Sequence, residues 1–184
     1  MELYTSYAVI FFILLLLVLE RWSPLSRAKS PLEYRWVSNL GLALVGSITV
    51  TLIFSSNLQE IAGDMTTGLL REQHMPLWAE SIIVVLLLDA WRYWEHRVFH
   101  EVPILWRTHL THHSDTALDI TTTERHHPLE VILVTCTGML LLFVLGYSAE
   151  ALVTYVLLAT LSSLWGHASL RLPDRIDRAL RKLI

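Results

Sequence analysis

Cysteine is almost absent from this chain of 184 residues, in which Cys136 is the only one. A single cysteine excludes an internal disulfide and leaves any metal to nitrogen and oxygen ligands. Charge is also scarce, at 17% of residues with a net charge of -3, and this balance gives no reason to expect a nucleic-acid partner. Hydrophobic residues make up 53% of the chain, which excludes an ordinary soluble domain and predicts an integral membrane protein.

Five apolar runs are long enough to enter a membrane. They cover about Leu3–Leu19, Val37–Phe54, Leu77–Trp94, Val131–Tyr147 and Ala151–Trp165. The first run lacks a basic leader segment and a small-residue cleavage site, which favours a retained helix over a signal peptide. The last two are shorter than the roughly 20 residues of a full span, so they form a hairpin or a tightly fitted pair. The expected fold is all-α, with about four to five transmembrane or hairpin helices.

Basic residues indicate the orientation, because Lys and Arg accumulate in short cytoplasmic loops. The segment after the first run contains Arg21, Arg27, Lys29 and Arg35, whereas the loop after the second contains Arg71 alone. The histidine-rich segment and the C-terminal tail are basic as well. With five membrane crossings, both fall on the same side of the membrane as the segment after the first run. The pattern therefore predicts that the histidine-rich segment faces the cytoplasm.

Histidine is concentrated directly behind the third apolar run. Seven of the nine histidines lie within 32 residues: His96, His100, His109, His112, His113, His126 and His127. His96 and His100 are four residues apart, which places both imidazoles on one helical face, and Asp89 and Tyr93 share that face. We expect Asp89 to orient a ring through its free N–H, with a purely structural hydrogen-bonded carboxylate as the alternative. The histidine pair taken alone fits a surface pair at a helix end better than a metal site.

A second histidine group follows a helix break at Pro103. His109, His112 and His113 are spaced i, i+3 and i+4, and again share one face. Two such faces turned toward each other bring five imidazoles into one pocket and predict a metal site. Imidazole suits iron, zinc, copper or nickel, so the ligands alone leave the metal open.

Other residues near the cluster have simpler interpretations. Three tryptophans are expected in an interfacial belt: Trp91, Trp94 and Trp106. Arg125 and Glu130 are interpreted as a possible salt bridge within a loop. A zinc hydrolase is disfavoured, because His100-Glu101 is not followed by a histidine at the required step.

Four segments in this order resemble the membrane-bound fatty acid hydroxylase superfamily, which includes sterol desaturases and related sterol and carotenoid hydroxylases. They are His96-Arg97-Val98-Phe99-His100, Leu105-Trp106-Arg107-Thr108-His109-Leu110-Thr111-His112-His113-Ser114, Arg125-His126-His127-Pro128-Leu129-Glu130, and Gly166-His167-Ala168-Ser169-Leu170-Arg171-Leu172-Pro173. The resemblance implies N-terminal transmembrane helices over residues 1–76 and a catalytic domain over residues 77–184. It also implies two non-haem irons and an oxidoreductase that uses O2 to hydroxylate or desaturate a fatty acid, sterol or related lipid. Electrons then come from an external donor such as cytochrome b5 or a ferredoxin.

The resemblance also extends the predicted ligand set. It adds two histidines, so that the predicted metal ligands are His96, His100, His109, His112, His113, His127 and His167, with His126 as an extra residue. The family's third histidine box is expected shortly after His167 but does not occur before Ile184. We therefore expect a C-terminally truncated member with an incomplete catalytic domain. The alternative is a non-catalytic remnant or a metal-binding membrane protein.

Overall fold

The computed structural model describes residues 2–25, 32–54, 58–64, 66–115 and 117–180. Eight α-helices occur there: α1 (Glu2–Trp22), α2 (Leu32–Ile53), α3 (Leu58–Asp64), α4 (Leu77–Glu101), α5 (Pro103–His113), α6 (Pro128–Leu145), α7 (Ala149–His167) and α8 (Asp174–Leu180). Short 3-10 turns cover Arg71–Gln73 and Ile120–Glu124. The described residues form no strand beyond an isolated bridge between Pro24 and Leu170. The predicted all-α architecture is confirmed.

Three helices are long and apolar enough to cross a membrane, by length and composition, over Tyr34–Ile53, Pro128–Leu145 and Ala149–His167. Most of their side chains are not buried inside the bundle, as expected for helices whose solvent is lipid. The chain is therefore an all-α membrane protein. α6 and α7 are separate helices joined by a tight turn at Gly146, which adopts φ 62°.

α4 extends beyond the apolar run from which it was predicted. The run ends near Trp94, yet the helix continues to Glu101 because no glycine or proline interrupts it before Pro103. Val102 is extended, and Pro103 begins α5 at a position where its missing N–H is not needed. The proline thus breaks the chain into two helices, one for each histidine group.

α7 is central to the packing, since it contacts α1, α3, α4 and the 3-10 turn over Ile120–Glu124. α4 also packs on α5, and α2 packs on α6. We call the end of the bundle that carries the α4–α5 corner and the start of α6 the histidine end. The opposite end, which carries the α6–α7 turn, is called the far end.

The far end is closed by direct backbone contact between two loops. Gly68 has φ 132°, and a Cβ atom added there would lie 2.4 Å from Cα of Gly146. Leu69 and Leu70 donate backbone hydrogen bonds to the last carbonyls of α6, those of Val144 and Leu145. Both positions therefore require glycine, because the two backbone segments approach closely and because both residues have a positive φ.

Candidate metal centre

Two histidine pairs face each other across the α4–α5 corner. His96 and His100 approach to 3.1 Å between their Nε2 atoms, and His109 and His113 approach to 3.2 Å. The ring centroids of His96 and His109 are 4.6 Å apart, and those of His100 and His113 are 4.8 Å apart. All four donor atoms lie within 4.8 Å of one another. We call these residues the four-histidine group.

These distances suit a shared metal ion. Nitrogens bound to one ion at about 2.0–2.1 Å are about 2.8–3.4 Å apart at right or tetrahedral angles. The nitrogen pairs on α4 and on α5 fall in that interval. His109 is fully buried, whereas His100 and His113 are exposed, so the group is open on one side.

A buried carboxylate orients the central imidazole. Glu130 is 2% exposed, and its Oε1 lies 2.8 Å from Nδ1 of His109 and 3.0 Å from Nδ1 of His126. Because a carboxylate accepts hydrogen bonds, both Nδ1 atoms carry the proton and both Nε2 atoms keep a lone pair for a metal. Oε2 of Glu130 is buried without a hydrogen-bond partner among the described residues.

His112 and His167 form a further imidazole pair beside this carboxylate. Their Nε2 atoms are 3.2 Å apart, and the ring of His126 stacks on that of His112 at 4.9 Å with an angle of 5°. His167 donates from Nδ1 to the carbonyl of Ser163 at 2.8 Å, which again leaves a lone pair on Nε2. Nδ1 of His112 is buried and lacks a partner within the described part of the chain.

Burial favours the neutral form of two rings of the site, His112 and His113. Burial lowers the pKa of His112 to about 3, and neighbouring imidazoles, His126 first, add to the effect. Burial also lowers the pKa of His113, again with support from nearby imidazoles. A neutral imidazole has the lone pair that metal ligation requires. Orphaned buried polar atoms, neutral rings and oriented Nε2 atoms together fit a metal that prefers nitrogen donors.

His127 differs from its neighbour His126. Its Nδ1 accepts a hydrogen bond from the backbone N–H of Leu129 at 3.1 Å and so caps the N-terminus of α6. In the neutral ring the proton is then on Nε2, the tautomer opposite to that of His126. The structure thus brings six of the seven predicted ligands together around His109 and places His127 at the helix cap.

The carboxylate predicted to orient a ring lies elsewhere. Asp89 is exposed on α4, and the carboxylate that contacts imidazoles is Glu130. Sequence reasoning assigned Glu130 to a loop salt bridge, yet Arg125 bonds instead to the Thr111 carbonyl at 2.9 Å and to Asn39. One signal could have found Glu130: it begins an apolar helix four residues after His126, where an ionisable side chain is costly without a partner.

Trp106 was assigned to an interfacial belt but contacts the four-histidine group. Its ring centroid is 5.2 Å from that of His100 and 5.5 Å from that of His113. Trp91 and Trp94 are exposed on α4, as expected for belt residues. The indole of Trp106 therefore forms part of the wall around the candidate centre.

Comparison with known proteins agrees with this geometry. The family model described as fatty acid hydroxylase matches residues 81–182. The chain belongs to the fatty acid hydroxylase family. Within this family the chain is 30% identical over 103 residues to the very-long-chain aldehyde decarbonylase GL1-9 of Oryza sativa subsp. indica, and equally to that of subsp. japonica.

The match covers 55% of this chain and 40% of each rice protein. The chain thus spans well under half the length of the curated relatives it matches. No solved structure matches the chain at a significant level. The histidine end of the bundle lies inside the segment that the family model matches.

Proposed function

We propose that the chain is a non-haem di-iron oxidoreductase that uses O2 to hydroxylate or desaturate a lipid. The observation that carries the proposal is the cluster of seven imidazoles at the histidine end, formed by six of the predicted ligands together with His126. Three of them, His109, His126 and His167, have Nε2 lone pairs fixed by hydrogen bonds at Nδ1. Zinc binds such donors but has no redox chemistry, whereas iron binds imidazole and is redox-active. Bound iron would supply O2 activation.

The proposed ligands fall into two sets. The four-histidine group would hold the first iron. His112 and His167 would begin the second set, with His126 stacked beside them. His127, the ligand that the sequence motif predicts, caps α6 instead and would remain outside this set. Glu130 would orient His109 and His126 from outside the coordination shell, the role that the sequence pattern gave to Asp89.

The overall reactions need reductant from outside the chain. Hydroxylation of a C–H bond consumes O2, two electrons and two protons, and yields an alcohol and water. Desaturation consumes the same and yields a double bond and two waters. We propose that a protein such as cytochrome b5 or a ferredoxin supplies the electrons one at a time. The residues of this chain orient the metal and exclude water, while outward apolar helices admit the lipid tail from the bilayer.

A long-chain lipid is the proposed substrate class. The rice relatives are named for very-long-chain aldehydes, and the apolar outer faces of α6 and α7 suit a long alkyl chain. A long-chain aldehyde, a fatty acid and a sterol are therefore the three substrates to test first.

We also propose that the centre faces the cytoplasm. Arg35, in the first turn of α2, bonds to Asp115 and Asp119 beside the histidines, so the start of α2 and the histidine end lie on one side. Arg27 and Lys29, which precede α2, lie outside the described residues. Basic loops collected on one side indicate the cytoplasmic side.

Iron per chain tests the proposal. Purified protein is loaded anaerobically with ferrous iron, and the His109→Ala, His113→Ala double variant is compared with His74→Asn. His74 is a far-end histidine with φ 45°, and asparagine tolerates that conformation. We expect close to two irons per chain in the unchanged protein and in His74→Asn, and loss of iron in the double variant.

The other outcomes distinguish the di-iron enzyme from a metal-binding protein and from a non-catalytic remnant. One iron per chain would contradict the di-iron centre and favour a metal-binding protein without this chemistry. No specific iron would favour a non-catalytic remnant. With two irons bound, an added donor and O2, an alcohol or alkene product from one of the three lipids would establish the activity.

A further inference from the structure

A buried polar cluster joins the N-terminal helices to the segment that links the two halves of the candidate centre. That segment, residues 114–125, runs from the end of α5 to His126; residue 116 is not among those described. We call it the linking segment. The helices that hold it, α1 and α2, lie outside the residues matched by the family model, 81–182.

Arg35 makes the first set of contacts. Its Nε and Nη2 donate to the two carboxylate oxygens of Asp115 at 2.7 and 2.9 Å, and its Nη1 donates to Asp119 at 2.7 Å. It also donates to the carbonyl of Ala117. Arg35 is 7% exposed and both carboxylates are buried to a similar degree, so these bonds are shielded from water. A planar guanidinium that bonds two carboxylates fixes orientation as well as distance.

Asn39 lies one helical turn further along α2 and is fully buried. Its Nδ2 donates to Asp115 at 3.0 Å and to Thr121 at 2.9 Å, and its Oδ1 accepts from Arg125 at 2.8 Å. Arg125 in turn binds the last turn of α5 through the carbonyl of Thr111. One amide therefore connects α2 to both ends of the linking segment, and only a side chain with both donors and an acceptor satisfies these bonds.

α1 adds a third connection. Oε1 of Glu20 accepts from the backbone N–H groups of Ile120 at 3.2 Å and Ser169 at 2.8 Å. A backbone hydrogen bond from the N–H of Leu25 to the carbonyl of Ser169 strengthens the contact. Ser169 follows His167 by two residues, so the same carboxylate ties the linking segment to the end of α7.

We propose that Arg35 and Asn39 are positioning residues of the metal centre, and that α1 and α2 belong to the catalytic unit and do not merely anchor it. They hold the linking segment between α5 and the start of α6, and thereby set the placement of His126 and Glu130 against His109 and His112. This proposal rests on the proposed function for the identity of the metal. It predicts that the unit needs residues well before position 77.

The test compares Arg35→Met and Asn39→Leu with Glu80→Gln in the full chain. Glu80 is a buried far-end carboxylate that accepts from the N–H and hydroxyl of Ser148 at 2.7 and 2.8 Å. Its replacement, like those of Arg35 and Asn39, alters a buried hydrogen-bonded polar group, but this group lies at the end of the bundle opposite the histidines. Anaerobic Co2+ titration, followed by visible absorption, reports both affinity and coordination geometry.

We expect Arg35→Met and Asn39→Leu to weaken Co2+ binding by about 10- to 100-fold, as for other residues that orient ligands, and to alter the absorption spectrum. Glu80→Gln should keep the Co2+ affinity and the absorption spectrum of the unchanged chain, even if its melting temperature falls as far as those of the α2 variants. Unchanged Co2+ affinity and spectrum in the α2 variants would overturn the proposal.

Hydrogen exchange of the metal-free proteins gives a second and independent readout. The α2 variants should lose amide protection over residues 117–130, and Glu80→Gln should retain it. Unchanged protection in the α2 variants would also overturn the proposal. Failure of the unchanged chain to bind either Co2+ or ferrous iron would contradict the proposed function, while the exchange data would still decide whether α2 orders the linking segment.

Discussion

Two buried glutamates, one at each end of the bundle, have different hydrogen-bonding roles. At the far end, Glu80 uses both oxygens to accept from the N–H and hydroxyl of Ser148, the residue that caps α7. At the histidine end, Glu130 uses one oxygen for two imidazoles, and its second oxygen has no partner among the described residues. A saturated carboxylate stabilises a helix start, whereas an unsaturated carboxylate against two imidazoles indicates a functional site.

The comparison is tested most strongly by matched glutamine variants. Glu130→Gln removes the charge that holds two Nδ1 protons, so we expect iron affinity to fall by about 10- to 100-fold. Glu80→Gln should lower the melting temperature and leave iron affinity unchanged. Asp89→Asn serves as the third variant, because the sequence pattern favoured that carboxylate. Equal affinity losses in Glu80→Gln and Glu130→Gln, measured by anaerobic titration, would remove the distinction between the two ends.

A pair of glycines separates stability from metal binding. In Gly146→Ala the new Cβ would lie 2.2 Å from the carbonyl oxygen of Thr67, and the alanine would have to adopt φ 62°. We expect a loss of about 1–3 kcal/mol from the strained conformation alone. Gly166→Ala meets nothing within 4 Å inside α7 and should gain about 0.5–1 kcal/mol, because alanine favours helix. Thermal unfolding in detergent measures both, and a loss of iron in Gly146→Ala would contradict the separation.

Adjacent histidines make a finer comparison within the histidine end. His126→Ala removes a ring that is stacked on His112 and bonded to Glu130, so iron affinity should fall by about tenfold. His127→Ala removes the cap of α6 and should cost about 1 kcal/mol of stability with little loss of iron. Stronger iron loss in His127→Ala than in His126→Ala would favour the ligand that the sequence motif predicts.

The smallest expected effect is on pH dependence in the metal-free chain. The pKa of His112 is about 3 in the folded state against 6.5 for an ordinary histidine. Between those values the unfolded chain binds more protons, so the free energy of unfolding falls as pH falls through that interval. His112→Gln should show a shallower decline in melting temperature between pH 7 and pH 5. Identical slopes would mean that His112 is not held neutral by its surroundings.

Much of the fold followed from local sequence. Apolar runs predicted the long helices, and Pro103 predicted the break between the two histidine groups. A spacing of four residues placed His96 with His100, and His109 with His113, because helical periodicity fixes those faces within one element. In the structure, the Nε2 atoms of each pair are separated by a distance at which both could bind one metal ion.

Local pattern could not choose between residues whose roles depend on distant partners. Asp89 shares a helical face with His96, yet Glu130 reaches His109 from another helix. His126 and His127 are neighbours in sequence, and their tautomers differ because one faces a carboxylate and the other a backbone N–H. Nothing in the spacing of α2 indicates that Asn39 bonds to Thr121, since 82 residues separate them.

The sequence by itself determined an apolar all-α chain, its helix breaks and the faces on which the histidines lie, because those properties depend on composition and on periodicity within one element. The tertiary structure alone decided which carboxylate orients the imidazoles, which nitrogen of each ring keeps its lone pair, and that α1 and α2 hold the linking segment. The contacts that decide these features, above all those of Glu130 with His109 and of Asn39 with Thr121, join groups far apart in the chain and exist only once the helices have packed.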